Sequence, residues 1–282
     1  MIRERIADNV YWFQSEMYAQ VTAGAIIGPE WVILVDTLAV PDETLEMRAF
    51  IEETLGVPVR YLVNTIYHAD HTFGNYFFPG VTIFSHDLCR KLILEKNEES
   101  LENAKQQSLE FGRIERIVPP DITLSAGKIS LRIGKRNVTI FPTPGASADG
   151  VSVFVKEDRV LFAGDAFLPL PNIVEGDLEQ SIETITMMSK MGLENIVQGH
   201  GDVILRGEID NACESNIEYL TKIQKVAKKA ARRKDPMPVI EEATVEECGK
   251  SRVLLAGLVE DLHMRNLAAL YQIEKAAKES KD

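Results

Sequence analysis

The sequence predicts an α/β protein, built as a four-layer αβ/βα sandwich with a C-terminal helical extension. Three observations support this prediction. Short apolar runs of strand length recur through the first 205 residues, helical stretches separate them, and Ala, Leu, Glu and Lys dominate after about residue 205. Short apolar runs bounded by turn residues are typical of buried strands, and longer runs with helical spacing are typical of helices. We therefore expect one domain over residues 1–205, with a helical extension over residues 206–282 that packs on it.

The first half of the sandwich is predicted to alternate strands with helices. Strands are expected over residues 10–13, 23–27, 32–35, 59–63 and 81–84. A helix is expected from Pro41 to about Leu55, where Gly56 ends it, because Pro is favoured in the first helical turn and Gly just beyond the last. A second helix, long and polar, begins near Ser85 and runs towards Leu109.

The second half is predicted to contain two strand pairs, a helix and a final strand. The pairs are residues 129–133 with 138–141 and 151–155 with 160–162, the helix is 178–191, and the last strand is 196–198. Beyond residue 205, helices are expected over 206–234 and 243–279, with a break at 235–238. We favour an accessory helical layer for this tail. Packing beside an active-site mouth and self-association as a homodimer are the alternatives.

The charge balance argues against two classes of partner. The 282 residues carry a formal net charge of −12, whereas nucleic acids and anionic membranes attract basic surfaces. The one basic run, residues 225–234, lies in a helical stretch and is interpreted as a solvated face. We therefore expect a small-molecule substrate, and neither nucleic acid nor a membrane as a partner.

The N-terminus and the cysteines predict a cytoplasmic location. Residues 1–8 include acidic side chains and no apolar segment, unlike a signal peptide, and no run approaches the ~18 apolar residues of a membrane span. The three cysteines, Cys89, Cys213 and Cys248, are widely spaced and form no CxxC pair. They are predicted to be buried, reduced thiols, as expected in a reducing compartment.

The most informative segment is residues 64–75, which follows the predicted strand 59–63. It places His68, Asp70 and His71 within four residues, although the chain contains only five histidines. Loops at the carboxyl ends of strands carry the chemistry of open α/β sheets, and closely spaced imidazole and carboxylate groups suit a metal such as zinc. The segment therefore predicts a metal site.

Further segments follow in an order that is typical of one family. They are Thr143-Pro144-Gly145-Ala146-Ser147-Ala148-Asp149-Gly150, Leu161-Phe162-Ala163-Gly164-Asp165 and Val197-Gln198-Gly199-His200-Gly201-Asp202, preceded by residues 24–28 and 31–37. Together with residues 64–75, this series resembles the metallo-β-lactamase superfamily over roughly the first 205 residues. The resemblance implies a metallo-β-lactamase sandwich and a metal-dependent hydrolase.

The resemblance implies two metal sites, of which the first is degenerate in this chain. The family's first site uses three histidines, but Ile66 and Ala146 occupy two of those positions and only His68 remains. Neither isoleucine nor alanine offers a lone pair to a metal. The implied ligands of the second site are all present: Asp70, His71, Asp165 and His200.

One divalent metal is therefore expected. Zinc is favoured, with iron or manganese as alternatives, because imidazole and carboxylate ligands suit all three metals. The resemblance implies that the metal helps to activate water for cleavage of an ester, lactone, thioester or amide. His68 or Asp70 is the expected general base, and Tyr67, at an outward-looking position of the motif, is expected to meet the substrate.

Two other functions stay open at this point. One is a catalytically degenerate or engineered member of the fold that keeps only vestigial metal binding. The other is a mono-iron oxygen-dependent enzyme, which ranks last because such members of the family use the first site. The two remaining histidines, His86 and His263, are predicted to be ordinary surface or helix residues.

Overall fold

The computed structural model describes residues 1–279 and contains two β-sheets. The strands of the first sheet lie in chain order: β1 (Ile2–Ala7), β2 (Val10–Gln14), β3 (Thr22–Ile27), β4 (Val32–Val35), β5 (Val59–Val63), β6 (Thr82–His86) and β7 (Ile122–Leu124). The second sheet consists of β8 (Ile129–Ile133), β9 (Arg136–Pro142), β10 (Val151–Val155), β11 (Val160–Gly164), β12 (Asn195–Gln198) and β13 (Ile204–Leu205), in the spatial order β13-β12-β11-β10-β9-β8. Strands β4 to β7 pair in parallel, as do β11 and β12.

Seven α-helices lie in the described part of the chain. They are α1 (Pro41–Ala49), α2 (Ala69–Thr72), α3 (Asp87–Gln107), α4 (Leu178–Ser189), α5 (Ile209–Ala230), α6 (Met237–Glu241) and α7 (Val259–Glu279). Helix α1 continues as a π-helical turn over Phe50–Thr54, so that the helical segment ends close to the predicted Leu55. None of the helices in residues 1–279 is long and apolar enough to cross a membrane.

The side chains of the central strands alternate between two apolar clusters. In β4, Ile33 and Val35 lie in the cluster between the two sheets, whereas Val32 and Leu34 lie in the cluster on the outer face of the first sheet. Successive side chains of a strand point to opposite faces, so a strand covered on both faces is apolar throughout. This is why the continuous apolar run at residues 32–35 predicted a strand.

The same alternation places helices on the outer face of each sheet. Helix α1 contributes Met47 to the outer cluster of the first sheet. In β11, Leu161 and Ala163 face a third cluster that includes side chains of α4, α5 and α7, whereas Phe162 faces the first sheet. The order of layers is therefore helices, sheet, sheet, helices, and the predicted fold class is confirmed.

Several details of the sequence prediction were wrong. Strands β1, β7 and β13 were not predicted, because β1 is mostly exposed and charged and β7 and β13 are only three and two residues long. The predicted break at 235–238 contains the start of α6, since Pro236 and Pro238 fit a first helical turn. The helix predicted from residue 243 starts only at Val259, after turns and a 3₁₀ segment. The boundary at residue 205 stays a prediction.

His263 lies on a helix, one of the two predicted placements, but it is buried, so the predicted surface placement is wrong. It lies on α7, where its Nδ1 is 3.1 Å from Tyr219 Oη and its Nε2 is 2.6 Å from the carbonyl oxygen of Ala243. Tyr219 Oη also accepts a hydrogen bond from Asn266 at 3.2 Å. If the tyrosine donates to Nδ1, the neutral imidazole can donate to Ala243, and every member of the chain of hydrogen bonds is satisfied. Burial lowers the pKa of His263 below its usual value, which also favours the neutral form.

Stability is expected to fall below about pH 6.5, in part because of His263. The unfolded chain takes up a proton at this histidine at a higher pH than the folded chain, since the folded pKa is depressed. The contribution is fully present above pH ~6.5 and is lost as the pH falls towards the folded pKa. Urea unfolding at pH 7.5 and pH 5.5 should show a smaller pH-dependent loss for His263→Gln than for the wild type. An equal loss in both proteins would contradict this assignment.

Candidate metal centre

The carboxyl ends of parallel strands bring the predicted metal ligands together. In the first sheet, Asp36 follows β4, and the segment with Asp70 and His71 follows β5. In the second sheet, Asp165 follows β11, and His200 lies just beyond β12. Parallel neighbours end at the same edge of a sheet, so residues far apart in sequence converge there. The two sets meet between the sheets.

Three of the four predicted ligands form a compact group. One ligand atom from each of Asp70, His71 and His200 lies within 4.8 Å of the others. His200 Nε2 is 3.3 Å from Asp70 Oδ2. The fourth residue, Asp165, directs Oδ1 to 3.2 Å from His71 Nε2 and 3.7 Å from His200 Nε2. The four side chains therefore present nitrogen and oxygen atoms to one small volume.

Hydrogen bonds to the other ring nitrogens orient the two imidazoles. His71 Nδ1 lies 2.9 Å from Asp36 Oδ2, and His200 Nδ1 lies 2.8 Å from the carbonyl oxygen of Ala19. Both contacts suit an Nδ1–H donor, so that Nε2 is the nitrogen that faces the centre and would bind a metal once it is deprotonated. Asp36 is itself held by Thr65, whose backbone N–H and hydroxyl donate to it at 2.8 and 2.6 Å.

Two buried atoms at the centre have no hydrogen-bond partner. In residues 1–279, four buried side-chain atoms lack such a partner, and two of them, His71 Nε2 and Asp165 Oδ1, face each other at 3.2 Å as an ion pair without forming a hydrogen bond. Buried polar atoms are normally hydrogen-bonded, so this poorly directed contact calls for an explanation. A divalent cation would bind both lone pairs. The residues present therefore fit a metal of the kind that the sequence predicts.

The centre holds its carboxylates ionised. Burial raises the pKa of Asp70, but the neighbouring His71 and His200 outweigh it and lower this pKa to about 2. The pKa of Asp165 is also lowered well below its usual value, against burial, by His71, His68 and His200. Ionised carboxylates are the form that binds metals.

The pKa values of the two imidazoles are raised instead of lowered. Burial lowers the pKa of His71, but the carboxylates of Asp165, Asp36 and Asp70 hold it well above its usual value. Burial also opposes the raised pKa of His200, which Asp70 and Asp165 produce. A metal must displace the Nε2 protons of these imidazoles, so its binding releases protons and strengthens as the pH rises.

The backbone around Asp165 leaves no room for larger residues. Gly164 has a φ of 52°, and a Cβ there would lie 2.4 Å from Thr65 Oγ1. A Cβ on Gly199 would lie 2.2 Å from Asp165 Oδ1. Glycine at these positions therefore lets the ends of β11 and β12 approach the carboxylate.

His68 lies beside the four ligands and contacts Asp165 from the opposite side. Its Nδ1 is 3.1 Å from Asp165 Oδ2, and its Nε2 is 3.7 Å from Glu175 Oε2. Burial lowers the pKa of His68, but Asp165 and Glu175 outweigh it and raise the pKa to about 10. The structure therefore places His68 next to the centre, where it can hold a proton.

Tyr67 is largely buried, which corrects its predicted outward-looking position. Its hydroxyl hydrogen-bonds Glu175 and accepts a hydrogen bond from Lys96 Nζ at 3.0 Å. Its ring packs edge-on against His68, with 4.7 Å between ring centroids. Tyr67 still lines a pocket next to His68, so contact with a substrate stays a prediction.

The two positions that lack a family histidine carry buried apolar side chains. Ile66 is 1% exposed and belongs to an apolar cluster with Cys89 and Ile93. Ala146 is buried and borders a small cavity together with Asp165. All three cysteines are free and buried, as predicted.

Sequence reasoning missed the residues that support the ligands. Asp36 could have been found, because an aspartate directly after the apolar strand 32–35 lies at the same sheet edge as the motif. Glu175 carries no comparable signal, since it lies in the irregular segment before α4. The carbonyl of Ala19 is a backbone group and leaves no mark in the sequence.

Comparison with known proteins identifies the family. The sequence model of the Metallo-beta-lactamase superfamily matches residues 19–200, which is more than half of the chain. The chain belongs to this superfamily. Its members are mostly metal-dependent hydrolases, and the fold together with the ligand group indicates divalent metal binding.

Known proteins are similar to this chain in sequence or in fold. A "Beta-lactamase-like protein 2 homolog" of Caenorhabditis elegans is 26% identical over 162 residues, which is 57% of this chain and 47% of that protein. The match thus spans about half the length of the relative. A metallo-beta-lactamase from Pontibacter korlensis has a TM-score of 0.61 at 20% identity, covering 76% of this chain and 97% of its own. A metallo-beta-lactamase family protein from Thermus thermophilus has a TM-score of 0.68 at 17% identity, covering 96% and 94%. At these identities the structures show the shared fold.

A methyl group at Gly199 is expected to weaken metal binding. In Gly199→Ala the new Cβ would meet Asp165 Oδ1 at 2.2 Å and displace the carboxylate. Changes to groups that support metal ligands typically cost 10–100-fold in affinity, so we expect zinc affinity, measured by competition with a chelator, to fall at least about tenfold. Gly207→Ala is the matched control, because no atom lies within 4 Å of its Cβ position. Equal affinities in the two variants would contradict this role of Gly199.

The purified protein is expected to bind about one metal per chain. Elemental mass spectrometry should detect it, and Asp70→Ala should lose it because Asp70 belongs to the ligand group. Asp210→Ala, which removes an exposed aspartate on α5, is the control. Two metals per chain would contradict the interpretation of Ile66 and Ala146.

Proposed function

We propose that this protein is a hydrolase with one divalent metal, zinc being favoured, that cleaves an ester, lactone, thioester or amide. The observation that carries the proposal is the convergence of two imidazoles and two carboxylates on one small, buried volume: one ligand atom from each of Asp70, His71 and His200 lies within 4.8 Å of the others, and Asp165 Oδ1 lies 3.2 Å from His71 Nε2. The superfamily supports the reaction class, since most of its members are hydrolases.

The proposed metal ligands are Asp70, His71, Asp165 and His200. Two imidazole nitrogens and two carboxylates match the preferences of zinc and also admit iron or manganese. When bound, a divalent cation supplies Lewis-acid polarisation of a carbonyl and lowers the pKa of a water molecule towards 7, from about 15.7 in bulk. A second cation has little support, because Ile66 and Ala146 offer no ligand atoms.

His68 is the residue that we propose to move a proton during hydrolysis. It lines the adjacent pocket, so its Nε2 can exchange a proton with water or with a leaving group there. Asp165 orients the ring through Nδ1 at 3.1 Å. Asp70 is the alternative general base, and its position among the ligands makes metal binding its favoured role.

Hydrolysis by the zinc-loaded protein should depend on His68 without requiring it for metal binding. Against a panel of simple esters, lactones, thioesters and amides, we expect His68→Gln to lower kcat by about 10²–10⁴-fold, the usual range for loss of an acid–base group. Metal content should stay near that of the wild type. His86→Gln is the matched control, because His86 is the N-cap of α3 and its contacts are with Leu88 and Asp87, which are not among the proposed ligands.

Each other outcome of that experiment has a definite meaning. Full activity in His68→Gln would show that His68 does not move the proton and would favour Asp70 as the general base. Bound metal without turnover of any class in the panel would contradict the proposed hydrolase and favour a degenerate binding protein. A folded protein without metal would contradict the proposed centre itself.

A further inference from the structure

A polar pocket of about 340 Å³ opens next to the metal centre. Its walls come from the loop after β5 with His68, from α3 with Lys96, from the segment before α4 with Glu175, and from α7 with Arg265. We call this cavity the polar pocket. The larger groove of about 910 Å³ elsewhere on the described surface contains none of the predicted site residues.

The charge of the polar pocket is opposite to that of the protein. The whole chain carries a net charge of −12, yet the pocket wall has the two cations Lys96 and Arg265 and the single carboxylate Glu175. Glu175 is already engaged, because it contacts His68, Tyr67 and Lys96. A basic wall of this kind attracts an anionic ligand into the cavity.

Lys96 is held in a defined position over the pocket. Its Nζ donates to Tyr67 Oη at 3.0 Å, lies 3.5 Å from Glu175 Oε1, and stands 4.8 Å from the centre of the Tyr67 ring. Its side chain nevertheless remains about half exposed, at 46%. An ammonium group has three N–H donors, so donors remain for a ligand.

Arg265 is available for a ligand, because its recorded ion pair is weak. Among the described residues it pairs with Asp261, one turn earlier on α7, at 3.9 Å, and both side chains are largely exposed. Exposed pairs of this kind contribute at most about 1 kcal/mol. A guanidinium offers a planar fork of donors that matches carboxylate and phosphate oxygens.

The residue next to Arg265 fixes α7 against the pocket. Asn266 is fully buried, its Oδ1 accepts from the backbone N–H of Ile173 at 2.9 Å, and its Nδ2 donates to the carbonyl of Pro171 at 2.8 Å. Pro171 and Ile173 lie in the segment that leads to Glu175. The C-terminal helical layer therefore contributes a rigidly placed wall to the polar pocket.

We propose that Lys96 and Arg265 bind an anionic group of the substrate, a carboxylate or a phosphate, while the bond to be cleaved lies towards His68. This rests on the proposed function and adds a substrate class: a small, polar ester, thioester or amide that carries a negative charge away from the reacting carbonyl. Apolar acyl groups suit the cavity poorly, because most of its lining is polar or charged.

The test compares two substrates that differ in charge and not in length. They are the N-acetylcysteamine thioesters of adipic acid and of adipamic acid, its mono-amide. Water adds to the thioester carbonyl, the C–S bond breaks, and the thiol leaves with a proton and is measured with a thiol reagent. The protein's own three cysteines are buried, which keeps the background low. We expect kcat/KM of the acid to exceed that of the amide at least about tenfold at low ionic strength.

Variants that remove one positive charge test whether the preference for the acid over the amide arises in the polar pocket. Arg265→Gln and Lys96→Gln should each bring the acid-to-amide ratio of kcat/KM towards one, mainly through a higher KM for the acid. Lys91→Gln is the matched control, because Lys91 lies on the same helix, pairs with Glu95 and does not line the pocket. An unchanged ratio in both Arg265→Gln and Lys96→Gln would overturn the proposal.

A binding measurement separates this proposal from the proposed function. Calorimetric titration of the zinc-loaded protein with adipate, and separately with inorganic phosphate, should show binding that Arg265→Gln weakens about tenfold and Lys91→Gln does not. Tighter binding of phosphate would assign the site to phosphate-bearing substrates. If neither the thioesters nor any ester, lactone or amide of the panel is hydrolysed but adipate binds in this way, the hydrolase proposal fails and the pocket assignment holds. Hydrolysis of both thioesters at equal rates would overturn the pocket assignment alone.

Discussion

The carboxylate of Asp165 is the group on which the arrangement of the metal centre depends. Its Oδ1 lies 3.2 Å from His71 and 3.7 Å from His200, and its Oδ2 lies 3.1 Å from His68. His68 and His71 follow a strand of the first sheet, whereas His200 and Asp165 follow strands of the second. The buried carboxylate of Asp165 therefore contacts polar groups from both sheets. Such a charge is stable in the interior only when it is paired or binds a cation.

The groups around this carboxylate each position one part of the centre. Asp36 keeps His71 in one tautomer, Gly199 gives the carboxylate space, and His200 is fixed by a backbone carbonyl. Ile66 occupies a position where the family has a metal-binding histidine, but its side chain packs in an apolar cluster. The result is a centre with one well-supported set of ligands. This combination supports the proposal of a single cation.

Much of the fold could be predicted from the spacing of apolar residues, but only in elements whose burial requires a regular apolar spacing. The runs at residues 32–35 and 160–162 predicted strands correctly, because both faces of these strands are covered and every side chain must be apolar. Strand β1 was missed since an edge strand tolerates charge. His263 was misjudged because its partners, Tyr219 and Ala243, become neighbours only through the tertiary fold.

The candidate ligands of the centre were easier to find in the sequence than the residues that contact them. Asp70 and His71 lie in one short segment, and their order with Asp165 and His200 is typical of the family. Glu175 and Arg265 come from an irregular segment and from the last helix, and no local pattern connects them to the motif. Residues that bind metal are constrained by chemistry, whereas residues that shape a pocket are constrained only by geometry.

Because Asn266 docks α7 beside the centre, one wall of the polar pocket and the proposed metal ligands lie on different parts of the chain. The reactive groups belong to the two sheets, while one wall of the polar pocket belongs to the last helix. A substitution at an exposed position of α7, such as Arg265, changes the wall of the polar pocket without changing any of the proposed metal ligands. Substitutions in the last helix can therefore change the proposed substrate preference separately from the proposed metal binding.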